Sequence, residues 1–161
     1  QSQASGPPAR LVHVSFVGNS ADTGGALYRL SAINTLYMTS TLISRTVDNT
    51  GGNCAGIAPT AVAYSISSDG TCNLYTFPGA GTNLELTDPL VGPLLWNGGP
   101  TRTHLPLDGS PAIDWIPSGP SRDQRGAQRP YGASYDVGAV EAGPSVANAF
   151  PYATFLPAAL R

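Results

Sequence analysis

Two stretches early in the chain repeat one pattern: SFVGNSADTGG at 15–25 and TLISRTVDNTGG at 41–52. Phe16-Val17 aligns with Leu42-Ile43, Asn19-Ser20 with Arg45-Thr46, and Gly24-Gly25 with Gly51-Gly52. A weaker third copy, AYSISSDGTCN at 63–73, puts Ile66 in the place of Phe16 and Leu42, with Asp69-Gly70 as the turn. Self-similarity at about 20 to 50 residues marks a solenoid, in which each unit covers the apolar face of the next.

The local period selects the kind of solenoid. LVHVSFV alternates Val12, Val14 and Phe16 against His13 and Ser15, and NTLYMTSTLIS is rich in Thr, Leu, Tyr and Ile. Both read as strands. No segment sustains a helical period, and 19 Gly and 15 Pro in 161 residues favour turns over helices. A repeat of this length, built of short strands and Gly/Asn turns, reads as one coil of a parallel β-helix. On that reading Phe16, Leu42 and Ile66 stack along one inner ladder. A β-sandwich with chance similarity between hairpins is the alternative.

Charge excludes several partners. Charged residues make up 11% of the chain, the formal net charge is -2, and no Lys occurs. Neither nucleic acid nor an anionic membrane is an expected partner. No stretch approaches the roughly 20 apolar residues of a membrane span. The two cysteines, Cys54 and Cys72, fit one disulfide, the commoner state outside the cytosol, with two buried free thiols as the alternative. A bridge there closes a loop of about 19 residues, worth on the order of 3 kcal/mol in the chain-entropy model.

The motifs GGNCAG, YSISSDGTCNL, GTNLELTDPLVGPL, NGGPTRTH, GSPAID, DQRG, RP and DVGAVE follow one another along the chain. In order and spacing they resemble the choice-of-anchor Q domain, and SFVGNSADTGGALY resembles the F-x-x-N and G-G-A-[IL] repeats of polymorphic outer-membrane-type surface proteins. The resemblance covers about residues 12 to 141. It implies an all-β fold, a short right-handed parallel β-helix with an irregular C-terminal cap, in a secreted or surface-attached bacterial protein. It also implies a Cys54–Cys72 pairing, no cofactor and no defining enzymatic activity. The corresponding organisation is a flexible N-terminal lead at 1–10, coils at 11–87, a cap at 88–143 and an extended tail at 144–161.

The polar residues offer other chemistry. His104, Asp108, Asp114, Asp123 and Asp136 are the candidates for a general acid and base, as in polysaccharide-cleaving β-helices. Each sits in turn-like sequence: Asp108 opens DGSP, Asp114 ends AID, and Asp123 faces Arg125 in DQRG, a pattern that favours a local ion pair. Asp88, Asp114, Asp123, Asp136 and Glu141 are the oxygen donors a Ca²⁺ site would use, but no D-x-[DN]-x-D spacing occurs. Neither a catalytic set nor a metal set is therefore expected. WNGGPTRTHLPLDGSPAIDW at 96–115 reads as turn and cap chemistry that closes the solenoid.

The two ends pose the functional question. Gln1 is not an initiator Met, which fits a processed or trimmed chain, and the lead QSQASGPPAR runs straight into the first strand. An uncovered first coil exposes unpaired backbone, so upstream coils or another molecule are expected there. The tail carries the apolar segment YATFLPAAL, with Tyr152, Phe155, Leu156 and Leu160 as a candidate intersubunit strand. The expected function is that of an extracellular structural protein, assembling head-to-tail as a homopolymer or serving adhesion, with surface glycans as a second partner class. A carbohydrate-binding or polysaccharide-cleaving protein is the alternative.

Overall fold

The computed structural model describes residues 6–31, 35–44, 52–76 and 82–143. The tail positions Tyr152, Phe155, Leu156 and Leu160 lie outside the described residues. Within them the fold is all-β. Its strands are β1 (Ala9–Val12), β2 (Ser15–Val17), β3 (Leu27–Arg29), β4 (Leu36–Thr39), β5 (Leu42–Ser44), β6 (Cys54–Gly56), β7 (Ala61–Ala63) and β8 (Ile66–Ser67), followed by a 3-10 turn at Leu74–Thr76.

Every paired strand is parallel to its neighbour, in three sheets ordered β1-β4-β7, β2-β5-β8 and β3-β6. The chain therefore visits the three sheets in turn and then begins again. The first round meets the second with Ala9 opposite Leu36 and Leu27 opposite Cys54. The step from the second round to the third is shorter, with Leu42 opposite Ile66. A last parallel bridge joins Ile66 to Leu84, a shorter step again.

The corner between the first and second sheets explains the repeat. His13, Ser40 and Tyr64 occupy it in successive rounds, with φ of 52°, 52° and 51°. Left-handed backbone in non-glycine residues costs about 1–3 kcal/mol each, so the surroundings must fix it. Here they do so with buried side chains that replace the broken ladder. Thr41 N donates to Ser65 Oγ (3.2 Å) and Ser65 N to Asn83 Oδ1 (3.0 Å). Ser65 Oγ donates to Ala63 O, and Asn83 Nδ2 to Val62 O and Leu74 O. Thr41, Ser65 and Asn83 are at most 1% exposed, which is tolerable only because each polar group is matched.

Two apolar cores follow. The first draws Leu11, Phe16, Leu27, Leu36, Met38, Ile43, Cys54, Val62, Cys72 and Leu74 from all three sheets and lies between them. Cys54 and Cys72 are joined by a disulfide within it. The second lies on the other face of the β2-β5-β8 sheet, where Leu42 and Ile66 meet Val91, Ala112, Ile116 and Val137. This corrects the expected ladder. Leu42 stacks on Ile66, but the residue beneath Leu42 is Ser15, and Phe16 stacks on Ile43. Side chains alternate across a strand, so a single-position offset moves Phe16 to the inner face and leaves Leu42 and Ile66 on the outer. Aligning apolar pairs by type hid that offset.

Residues 88–143, expected across the end of the stack, run along this outer face. Val137 N donates to Ala112 O, Gly138 N to Ser40 O, and Ala139 N to Ser15 Oγ, so the segment reaches back to the first round. Tyr64 meets Trp115 edge-on, ring centroids 6.5 Å apart. We expect Ser65→Ala, which orphans the buried Thr41 N while Ala63 O keeps its bond from Ser40 N, to lose about 1–3 kcal/mol of stability. The check is a urea midpoint followed by circular dichroism; an unchanged midpoint contradicts the structural role given to Ser65.

Candidate functional site

The chemically capable side chains gather in the flank segment, around Asp123, Arg125, Arg129, Asp136 and Glu141. All five are buried, none more than 9% exposed. Asp123 Oδ1 accepts from Arg125 N and Ala127 N; Oδ2 accepts from Arg125 Nε at 2.9 Å and from Glu141 N. The Arg125 guanidinium continues to Glu141 O and Asn97 O. Gly99, at φ 83°, lies flat on the Arg125 backbone, where a Cβ would stand 2.6 Å from Arg125 Cα. The NGGP turn is thus fitted to Arg125.

Arg129 makes the second half of the network. Its Nε lies 3.1 Å from Glu141 Oε2 in charge contact, NH2 donates to Gly138 O, and NH1 lies 2.5 Å from His13 Nδ1. Glu141 Oε1 accepts from Tyr131 N and Oε2 from Asp136 N. Asp136 in turn accepts from Asp114 N (2.8 Å) and Ala142 N. Two arginines and three carboxylates therefore share one buried site, every carboxylate bonded to backbone amides. Such a network holds loops in place of a regular ladder.

Of the remaining sequence candidates Asp114 borders the network and the others lie apart from it. Asp114 is exposed, its carboxylate accepting from Ser134 N. Asp88 is exposed and accepts from Leu90 N. Asp108 is exposed in its turn. His104 Nδ1 meets Gly92 O at 2.7 Å, so that nitrogen carries the proton and donates. Of the acid–base candidates, Asp123 and Asp136 belong to the network and Asp114 borders it, its amide donating to Asp136. Among the described residues no group of three or more His, Cys, Asp or Glu is arranged to hold a metal ion.

Sequence reasoning passed over His13 and Arg129. The available signals were the recurrence of His13, Ser40 and Tyr64 at the spacing of the rounds, and the Arg-Pro motif read only as part of a resemblance. It also missed the polar cap that the third round lays over β6. There Asp69 accepts from Asn53 N, Thr71 N and Thr71 Oγ1, and Thr71 Oγ1 accepts from Cys54 N. Gly52, at φ 65°, sits where a Cβ would meet Thr71 and Asp69.

A cavity of about 440 Å³ opens beside the network, lined by Val12, His13, Pro120, Arg122, Gln124 and Arg129 among others. The polar side chains on its wall are occupied inside the fold: Arg122 by Gly126 O, Gln124 by Thr101 Oγ1, Asp123 and Arg129 by the network. Comparison of the chain with protein-family models, with curated proteins and with solved structures gives no match.

Burial shifts two of these groups in opposite senses. Asp136 is pushed up to about 6, first by loss of water and then by the Glu141 and Asp114 charges, against its backbone hydrogen bonds. His13 is held down at about 4, first by burial and then by the Arg129 charge. The raised Asp136 favours the folded chain at low pH, and that contribution fades as pH rises from about 4 through 6. The lowered His13 favours it above about 6.5, and that contribution fades as pH falls toward 4. The two slopes oppose each other between about pH 4 and 6. His13→Gln is expected to gain stability on acidification across this window, and Asp136→Asn to lose it; urea midpoints at several pH values check both signs. Arg125→Met, which strands the buried Asp123 carboxylate, is expected to cost about 3–5 kcal/mol in the same assay.

Proposed function

We propose that the chain is an extracellular structural module: a right-handed parallel β-helix of the choice-of-anchor Q kind that associates head-to-tail through its first round and has no enzymatic role. The observation that carries this reading is the asymmetry of the stack. Residues 82–87 lie over the third round, with Ser67 N donating to Leu84 O, and residues 68–76 lie over β6 of the second, with Cys54 N donating to Thr71 Oγ1. Across the first round, β1, β2 and β3 are edge strands, and Leu11, Phe16 and Leu27 of the inner core are only partly buried. Ala9 N and His13 N donate to β4 and its lead-in. Alternation along the strand therefore turns the Arg10 and Val12 amides to the open edge. A parallel edge over a partly exposed core is a template for another round of parallel strand.

Three observations support the rest. Asp123 and Asp136, two of the acids that a polysaccharide-cleaving enzyme would use, are engaged in holding the flank segment. The disulfide fits an oxidising compartment, and no helix among the described residues is long and apolar enough to cross a membrane. A contact between unlike ends does not close on itself, so it yields filaments. Adhesion to surface glycans is a role such a filament can serve.

The test is association of the full chain against concentration, by analytical ultracentrifugation and negative-stain microscopy. Val12→Pro removes an open-edge amide and no bond to β4, so assembly is expected to fall at least ten-fold with the circular dichroism spectrum retained. Deleting residues 144–161 separates tail donation, which that deletion abolishes, from stacking of rounds, which it spares. A wild-type chain that stays monomeric up to millimolar concentration overturns the reading.

A further inference from the structure

The contact between the first round and the flank segment is made by an imidazole. His13 stands at the β1–β2 corner, and its Nδ1 lies 2.5 Å from Arg129 NH1, 116 residues away in sequence. A guanidinium has only donors, so Nδ1 accepts and the ring must be neutral for the contact to exist. Gly119 closes over the other ring edge, where a Cβ would stand 2.9 Å from Nε2. Beside it Ala139 N donates to Ser15 Oγ at 3.0 Å. The cavity of about 440 Å³ borders His13 and opens to solvent, giving protons a route to it.

We infer that this contact is an acid-released latch: protonated His13 sets a second cation against Arg129 in place of an acceptor, and the β1–β2 corner lets go of residues 119–139 while the ionic network behind stays assembled. The charges facing His13 are Arg129 in contact, with Arg122 and Asp123 on the cavity wall, and the Gly138 and Asp136 carbonyls, which favour the cation, are outweighed by burial and Arg129. Behind Arg129 stand Asp123, Arg125, Asp136 and Glu141. Tyr135 packs at Gly119. The network does not come apart with the latch, because the amides that hold Asp136, those of Asp114 and Ala142, belong to the flank segment itself. Release of the corner thus exposes His13 and leaves Asp136 buried. Burial and Arg129 hold the imidazole down at about 4, so the latch is fully closed above about pH 6.5 and weakens as pH falls toward 4. Global stability also includes Asp136, whose opposite slope offsets that of His13 across the same interval.

The latch does not depend on self-association and is tested on the monomeric or assembled full chain alike, by residue-resolved amide exchange. For the Ala139 amide, corrected for intrinsic exchange, the opening constant is expected to rise roughly ten-fold per pH unit between pH 6.5 and 4.5. The Val137 amide, bonded to Ala112 O within the flank segment, is expected to stay constant and serves as the internal control. In His13→Gln, whose side-chain oxygen accepts from Arg129 and does not titrate, the Ala139 rise is expected to vanish. Should that variant fail to fold, the wild-type imidazole titration decides, with His104 as the other of the 2 histidines in the chain. A His13 midpoint near 4 with a coupled Ala139 shift upholds the latch. A midpoint near the ordinary histidine value of about 6.5, or an Ala139 amide that ignores pH, overturns it.

Discussion

Arg125 is the largest of the fully buried side chains, and the half of the protein without strands is organised by its charge. A guanidinium removed from water is tolerated only when its donors are matched and its charge offset. Asp123 supplies the offset, while Asn97 O and Glu141 O take the outer donors. Those partners come from three separated loops, so meeting the needs of one side chain fixes the relative positions of residues 97, 123 and 141. Gly99 then follows as a steric necessity, and the turn at 97–100 is positioned by the same residue. The irregular segment has few ladder hydrogen bonds of its own, among them the isolated pairings Ile116–Tyr135 and Arg122–Gln128. Its order comes from charge together with the apolar core it shares with Leu42 and Ile66.

The parallel-strand half depends on a different constraint. A stack of rounds with a sharp corner must break the ladder at that corner, and the broken groups point inward. Ser65 and Asn83 supply the replacement, each serving the round before it. The interior also changes character along the stack: Phe16 and Ile43 are followed by Ser67, whose hydroxyl meets Asn53 Nδ2 and Cys72 Sγ. The core begins apolar and ends as a polar network tied by a disulfide.

Much of this was legible from spacing. The repeat that relates SFVGNSADTGG to TLISRTVDNTGG comes within one position of the pairing of the first two rounds, which sets Ser15 rather than Phe16 opposite Leu42, and the turn at Asp69-Gly70 lies where the third copy put it. The facing of the side chains was not legible, because Phe16-Val17 and Leu42-Ile43 are equivalent by residue type and differ only in pleat. Choosing between registers needed the knowledge that a second core lies outside the β2-β5-β8 sheet, and that core draws on Val91, Ala112, Ile116 and Val137, far along the chain. Burial of Asp123, Asp136 and Glu141 was likewise hidden, since acids in turn-like sequence read as solvated until their basic partners are placed. The pairing of Asp123 with Arg125 was readable because the two are near neighbours in DQRG; that of Arg129 with His13 was not, since almost the whole described chain separates them.

The steps between rounds shorten along the chain, from Ala9–Leu36 through Leu42–Ile66 to Ile66–Leu84. The first shortening falls between the third sheet and the return to the first, and the second circuit to shorten carries a 3-10 turn at Leu74–Thr76. The molecule is therefore a stack with a built-in arrow. At one end the circuit is made of less chain, at the other of more. Whatever meets this protein in line meets two ends built from circuits of different length, and polarity along the axis is set by the lengths of its own turns.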